Sequence, residues 1–338
     1  MPEVGGRKTC TGRENMQVLS GSGIAIQLTG DERERTANDW YPTDPQTVEA
    51  CYRSTPLDIR ADQPFMVLDP GAGTGVWGRV LRKLYPIERY PLLKIVGVEM
   101  DSGFTQDSAY DLWINENFIT GSRVATLIAV ISDTWPGFDA VVGNPPYELD
   151  TEFLAQAFRL VNRNTGRVDF LYRLGFLAAE ERVFDFYGRG YAASRALVCN
   201  TRPCFLPESE QLTKGKRATY PGDFTYYIWQ FEGGMPDQAK TFDHLVFKTC
   251  KICGAVYFPT ARGDRFCPEH TTTPVVAGPV DFGRYIQKGY EAFLSGQIRK
   301  AEKRAGELSA AGNLSAAADQ FALSAKAKAE LDTLDWAA

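Results

Sequence analysis

The sequence predicts an α/β fold organised around a mostly parallel sheet, on three observations. Short, continuous apolar runs (FMVLD, KIVGVEM, VATLIAVIS and FDAVVG) recur between about residues 62 and 143, with helical-looking segments between them. Strands that are apolar throughout are buried on both faces, the condition of a parallel sheet covered by helices on either side. The first run opens into a glycine-rich loop and then a helix, "FMVLDPGAGTGVWGRVL", a strand-turn-helix order that suits such a sheet. Finally, 338 residues with 44% hydrophobic and 12% aromatic content suffice for one large core and at least one appended module.

Taken in order, residues 1–38 are rich in Gly, Thr and charge without periodicity, and "TGDERERTAND" is a solvated run, so a loose arm is expected there. The main domain is expected over residues 39–240. In it FMVLD is a strand, VWGRVLRKL a helix and KIVGVEM a strand. A polar and aromatic segment to about residue 122 follows, and then VATLIAVIS and FDAVVG, both read as strands. Beyond these, "EFLAQAFRLV" is amphipathic, "VDFLYRLGFL" is apolar, and "DFTYYIWQF" is a strand rich in aromatic residues. Residues 241–275 change character to cysteines and turns, and residues 281–338 read as a tail of two helices broken near "AAGNLS".

Composition narrows the classes. No run of eighteen or more apolar residues is present and the first thirty residues lack an apolar signal region, so no membrane span or secretory leader is expected. Seven cysteines, an odd number with Cys10, Cys51, Cys199 and Cys204 scattered, suit a reducing, cytoplasmic compartment better than a disulfide framework. A net charge of -5 argues weakly against a nucleic-acid partner but leaves room for a local basic face.

The glycine loop is the first candidate site. Asp69 ends a strand, Gly71, Gly73 and Gly75 form a tight loop, and the helix after it presents unpaired N–H groups. The next strand ends in Glu99, placed to accept hydrogen bonds from ribose hydroxyls at the carboxyl edge of the sheet. A phosphate-binding P-loop is disfavoured, since no Gly-Lys-Ser/Thr follows and Asp69 would repel a phosphate. A nicotinamide dinucleotide stays open, although the glycine spacing departs from G-x-G-x-x-G.

The second is "DAVVGNPPYEL", where a buried-looking strand runs into Asn144, Pro145, Pro146 and Tyr147. Two prolines remove two backbone donors and stiffen the chain, so neither helix nor sheet continues through them. An exocyclic amine on an aromatic ring is a poor nucleophile because its lone pair is delocalised; an enzyme that alkylates it needs acceptors favouring tetrahedral nitrogen. The Asn144 side-chain oxygen and the Pro145 carbonyl supply that pair, and Tyr147 offers a flat face for a base.

"VLDPGAGTG", "VGVE" and "VVGNPPY", in that order, resemble the S-adenosylmethionine-dependent DNA methyltransferases that act on the N6 amino group of adenine, and "FLYRLGFL" and "RPCFLPESEQLTKGKRATYPGDFTYYIW" resemble segments that follow the catalytic motif in phage-type members. The resemblance implies a Rossmann-like methyltransferase sheet, S-adenosyl-L-methionine as cofactor and DNA as partner. It implies cofactor binding by Asp69, Gly71, Gly73, Gly75 and Glu99, and catalysis by Asn144, Pro145, Pro146 and Tyr147 on a flipped base. "WYPTDPQTV" is similar to the family's amino-terminal Tyr-x-Thr-Pro element, with its prolines displaced, and implies cofactor contacts from Tyr41 and Thr43. For the acidic residue at the cofactor's adenine two positions compete: Asp133, after VATLIAVIS, which the sheet reading favours, and Asn117 in "WINENF". Phe224 is weighed both as a second stacking surface and as an ordinary core aromatic.

The cysteine cluster stands apart. Cys250, Cys253, Cys267 and His270 form C-x2-C-x13-C-x2-H, two ligand pairs across a short hairpin, the pattern of a closed tetrahedral structural Zn2+. Lys248, Lys251, Arg262 and Arg265 around it are compatible with DNA contact or with a merely solvated surface. The rivals to a DNA methyltransferase are transfer to RNA bases or protein glutamine, and a zinc-dependent DNA-binding protein with a vestigial methyltransferase fold.

Overall fold

The computed structural model describes residues 42–133, 135–199, 203, 205, 212–213, 216–217, 222–237, 248–249, 252, 256–257 and 281–334. The amino-terminal arm, Tyr41, and the proposed zinc ligands Cys250, Cys253, Cys267 and His270 lie outside the described residues.

Eight strands form the central sheet: β1 (Phe65–Pro70), β2 (Leu93–Val98), β3 (Leu112–Ile114), β4 (Ala140–Gly143), β5 (Arg167–Arg173), β6 (Arg195–Val198), β9 (Phe224–Glu232) and β10 (Met235–Pro236). Two small hairpins, β7 (Leu212–Thr213) with β8 (Lys216–Arg217) and β11 (Lys248–Thr249) with β12 (Val256–Tyr257), stand off it. The order is β3-β2-β1-β4-β5-β9, with β6 and β10 both on the far side of β9. β1 pairs in parallel with β2 and β4, as do β2 with β3 and β4 with β5, while β9 runs antiparallel to β5. This is the expected α/β architecture with a mostly parallel sheet.

Helices cover both faces, and the alternation of side chains along each strand assigns them. Val67, Ile95, Ala140 and Val142 meet Val48, Tyr52, Trp77 and Leu81 of α1 (Pro45–Ser54) and α2 (Val76–Leu84). Their neighbours Leu68, Val96, Val98 and Val141 meet the other face, formed by α3 (Ser122–Asp133), α4 (Asp150–Leu160) and α6 (Phe282–Ala310). Asp44 caps α1, its side chain accepting from the Thr47 amide at 3.0 Å, and Pro45 occupies the first turn where no donor is needed.

Three findings depart from expectation. VATLIAVIS is not a strand but lies within α3. A continuous apolar run does not distinguish a strand from a buried helix by itself, and here Val124, Leu127, Ile128 and Ile131 recur at helical spacing. Of these Val124 is buried, and Leu127 and Ile128 pack against the core. The strand that takes its place is β3, three residues inside the polar and aromatic segment. Asp133 therefore ends a helix, and the argument that favoured it over Asn117 falls away.

The tail is docked on the main domain. α6 sinks Phe282, Ile286, Tyr290 and Leu294 into the core beside α4, each fully buried side chain contributing about 1.5–3 kcal/mol. α7 (Leu314–Thr333) folds back along it after a turn at Gly312, whose φ is 78°. Among the described residues, no helix is long and apolar enough to cross a membrane.

Candidate active site

In an open sheet of this kind the crevice lies at the carboxyl ends of the strands, where neighbouring strands leave the chain order in opposite directions. Here that point falls between β1 and β4. β1 delivers Asp69 and the glycine loop to it, and β4 delivers Asn144 and the prolines. The two loops touch: a Cβ built at Gly71 would lie 3.9 Å from Pro146 Cδ, and one at Gly143 would lie 3.2 Å from Asp69 Oδ1.

The glycine loop is held by backbone and by Glu99. The amides of Gly71 and Ala72 both donate to the Val98 carbonyl, at 2.8 and 3.0 Å. Glu99 Oε2 accepts from the Gly73 amide at 2.7 Å and Oε1 from the Asp101 amide at 2.8 Å, so the carboxylate at the end of β2 also fixes the loop after β1. Burial raises the Glu99 carboxyl above its ordinary range, against those two amide bonds. Gly75 begins α2 in the left-handed region, φ 79°, and a Cβ there would meet Asp107 and Tyr110 at 3.0 and 3.1 Å. Only glycine satisfies both conditions.

Asp69 is buried. One oxygen accepts from the Tyr110 hydroxyl at 2.5 Å, and the other, Oδ1, has no hydrogen-bond partner. Burial pushes its carboxyl up to about 8, the Tyr110 bond opposing and the Glu99 charge adding to the rise. Tyr110 is a site residue that reading the sequence missed. Its hydroxyl also accepts from the Gly78 amide at 3.1 Å, and its ring lies in a slot floored by glycines, with a Cβ at Gly78 falling 2.5 Å from Tyr110 Cζ and one at Gly97 2.9 Å from Cδ1. Gly78 within a helix and Gly97 within a strand were the available signal, since glycine there weakens the element unless something approaches closely.

On the β4 side, Asn144 Nδ2 donates to Thr43 Oγ1 at 3.0 Å. Thr43, expected at the cofactor, is brought to Asn144 and is itself buried. Pro145 is buried, and Pro146 precedes a single 3-10 turn, Tyr147–Leu149, whose Leu149 amide donates to the Pro146 carbonyl at 3.1 Å. The Arg173 guanidinium stands 5.2 Å above the Tyr147 ring, at the end of β5, and Phe224 and Phe205 approach it at 5.8 and 6.5 Å. Phe224 is fully buried, so it backs Tyr147 in place of offering a free face.

Asn117 lies just beyond β3. Its Oδ1 accepts from the amides of Ile119 and Thr120 at 2.8 and 3.4 Å, and its Nδ2 donates to the Tyr290 hydroxyl at 2.6 Å. Among the described residues no cluster of His, Cys, Asp and Glu suits a metal ion.

No protein-family model matches the chain, and no curated protein matches it. Among solved structures it is similar to the methyltransferase subunit of a type I restriction-modification system from Streptococcus thermophilus, with 12% identity, a TM-score of 0.36, and coverage of 63% of this chain and 46% of that one. The chain thus spans less than half the length of that subunit. It is also similar to the 23S rRNA methyltransferase ErmE, with 13% identity, a TM-score of 0.37, and coverage of 58% and 71%. A third is an O-methyltransferase from Bacillus cereus in complex with SAH, with 11% identity, a TM-score of 0.32, and coverage of 56% and 83%.

Proposed function

We propose that the chain transfers a methyl group from S-adenosylmethionine to the N6 amino group of adenine in DNA. The observation that carries the reading is the meeting of two loops at one crevice: a glycine loop with a buried carboxyl beneath it, and an Asn-Pro-Pro-Tyr loop whose amide is anchored on Thr43. The cofactor fits the first loop. Asp69 Oδ1 is a buried acceptor without a partner, α2 begins at Gly75, which brings no side-chain cap of its own, and Glu99 follows the end of β2. In this reading Asp69, Gly71, Gly73 and Gly75 hold the amino-acid end, Glu99 the ribose, and the loop that carries Asn117 the adenine end, with Asp133 the weaker candidate.

When bound, the cofactor supplies an electrophilic methyl carbon on a positively charged sulfur. The chain's own residues do the rest. Thr43 takes the Asn144 amide nitrogen, which fixes the carbonyl end of that amide as the acceptor for a target N–H. The Pro145 carbonyl is the second acceptor, and the two prolines keep it from relaxing. Tyr147, backed by Phe224, is the stacking platform for a base turned out of the duplex, which takes the place the Arg173 guanidinium holds over the ring. No covalent intermediate on the protein is required. DNA as substrate is favoured by the Asp69-Pro70 pair after the first strand and by the zinc-ligand pattern of Cys250, Cys253, Cys267 and His270.

Two measurements test the reading together. Calorimetric titration with S-adenosylmethionine is expected to show binding whose affinity rises with pH as the Asp69 carboxyl, pushed up to about 8, ionises. The sign follows from Asp69: a cationic ligand favours its carboxylate, so below that pH binding must expel a proton. Labelled cofactor is then offered with DNA, RNA and protein separately. Absence of binding sinks the methyltransferase reading, and label in RNA or protein alone sinks the DNA assignment.

We also propose that Cys250, Cys253, Cys267 and His270 hold one structural Zn2+. Elemental analysis is expected to find one zinc per chain, lost in Cys253→Ser, with new protease cleavage confined to about residues 245–272. Metal-free protein, purified under reducing conditions without chelator, refutes the site.

A further inference from the structure

The carboxyl-terminal hairpin grips the candidate site at two separate points. Near one end of its buried face, α6 places Tyr290 against Asn117: Nδ2 of Asn117 donates to the Tyr290 hydroxyl at 2.6 Å, and that hydroxyl donates its proton to Glu330 of α7. Two turns further on, Gln297 Nε2 and Lys300 Nζ donate to the two oxygens of Glu148, at 3.1 and 3.0 Å. Glu148 directly follows Tyr147 in the Asn-Pro-Pro-Tyr loop. One rigid helix is therefore bonded both to the loop after β3 and to the loop after β4.

The grip is close, and it is built in. α6 crosses α4, which begins at Asp150 immediately after the loop, with so little clearance that a Cβ at Gly289 would fall 1.8 Å from Glu152 Oε1. Phe282, Ile286, Tyr290 and Leu294 hold α6 in the core, so the contacts to Asn117 and Glu148 are made from a fixed support.

The proton count at Tyr290 makes the first contact specific. A phenol has one proton, and here Glu330 receives it, so toward residue 117 the oxygen acts only as an acceptor. Residue 117 must thus donate to Tyr290 and also accept from the amides of Ile119 and Thr120. An amide does both; a carboxylate at 117 would leave two carboxylates competing for one phenolic proton.

We propose that α6 and α7 are a working part of the site, with Tyr290, Glu330, Gln297 and Lys300 as positioning residues that set the loop carrying Asn117 and the loop carrying Asn144 and Tyr147 against each other. The inference rests on the methyltransferase reading and deepens it. In that reading, the hairpin spaces the cofactor's adenine end from the target-base loop, and its integrity is felt in both binding and turnover.

The test uses the full-length protein and three readouts: amide hydrogen exchange at residues 117–121 and 144–149, the cofactor dissociation constant, and kcat against KM for DNA. Tyr290→Phe is expected to speed exchange at Ile119 and Thr120 and to raise the cofactor dissociation constant about tenfold, the loss of one bond to a fixed partner. Asn117→Asp is expected to do the same or worse. Adding Glu330→Gln to it is expected to restore most of the loss, because the new amide at position 330 can donate to the phenol, which then donates to the new carboxylate at position 117. A purely packing role predicts no such rescue.

Gln297→Ala with Lys300→Ala is expected to loosen residues 147–149 and lower kcat several-fold while leaving cofactor affinity in place. Lys300 is 66% exposed and Gln297 is half-buried outside the core set of α6, so the variant is expected to fold. Unchanged exchange at both loops in Tyr290→Phe and in the Gln297/Lys300 variant overturns the inference, as does a double variant no better than Asn117→Asp alone. If the wild-type protein binds no cofactor, the methyltransferase reading fails by itself, and the exchange data still decide whether the hairpin positions the loops.

Discussion

Asn144→Ala is expected to lower methyl transfer by about 10²-fold or more while leaving cofactor affinity nearly unchanged. The asymmetry follows from where Asn144 sits. It follows β4, across the crevice from the glycine loop, and its amide nitrogen bonds to Thr43, whereas Glu99 on the cofactor side bonds to the Gly73 amide. In the proposed reading the Asn144 amide is a preorganised acceptor, and such groups count in the transition state, where the target nitrogen gains positive charge, more than in the ground state. The loss should therefore appear in kcat and in kcat/KM alike. Thr43→Val makes the companion case: the amide remains but loses the partner that orients it, and a smaller loss, about tenfold, is expected. Single-turnover rates with saturating cofactor separate the two, and normal turnover in Asn144→Ala would falsify its assignment.

What could be read from the sequence was short-range. Asp69 with its glycines, Glu99, and Asn144 to Tyr147 each follow an apolar strand within a few residues, and parallel pairing brings such strand ends together on one edge without further information. What could not be read was of two kinds. Apolar runs without alternation are ambiguous, and VATLIAVIS reads as a strand although its residues at positions 124, 127, 128 and 131 also fit one face of a helix. β3, with only three residues and one exposed leucine, carries almost no pattern. The other kind was long-range: Asn117 to Tyr290 spans 173 positions and Glu148 to Lys300 spans 152, and no local propensity encodes either. The tail's helices were visible as helices; their docking beside the candidate site was not. Tyr110 falls between the two kinds, because its partners are glycines whose placement inside regular elements was the clue.

That clue leads to the second large effect, Gly78→Ala. In an exposed helix this change is mildly stabilising, by up to about 1 kcal/mol, since alanine is the better helix former. Here the opposite is expected, because the new methyl would stand 2.5 Å from Tyr110 Cζ and 2.8 Å from its hydroxyl oxygen. The ring cannot retreat easily: Gly97 and Trp113 close its other side, Trp113 edge-on at 5.2 Å, and Gly75 lies against it at the mouth of α2. Overpacking of this kind typically costs about 1–3 kcal/mol, which outweighs the gain in propensity. The displaced hydroxyl would also release Asp69 Oδ2, which it holds at 2.5 Å, so the proposed cofactor pocket loses its floor along with its stability. Thermal unfolding should show a lower midpoint, and calorimetry a weaker cofactor, in the same variant. Adding Tyr110→Leu removes the ring that the methyl strikes; in that background Gly78→Ala is expected to cost little or to stabilise, while cofactor affinity stays low because Asp69 still lacks its hydroxyl partner. Destabilisation of equal size in both backgrounds would mean that Gly78 is needed for some reason other than Tyr110.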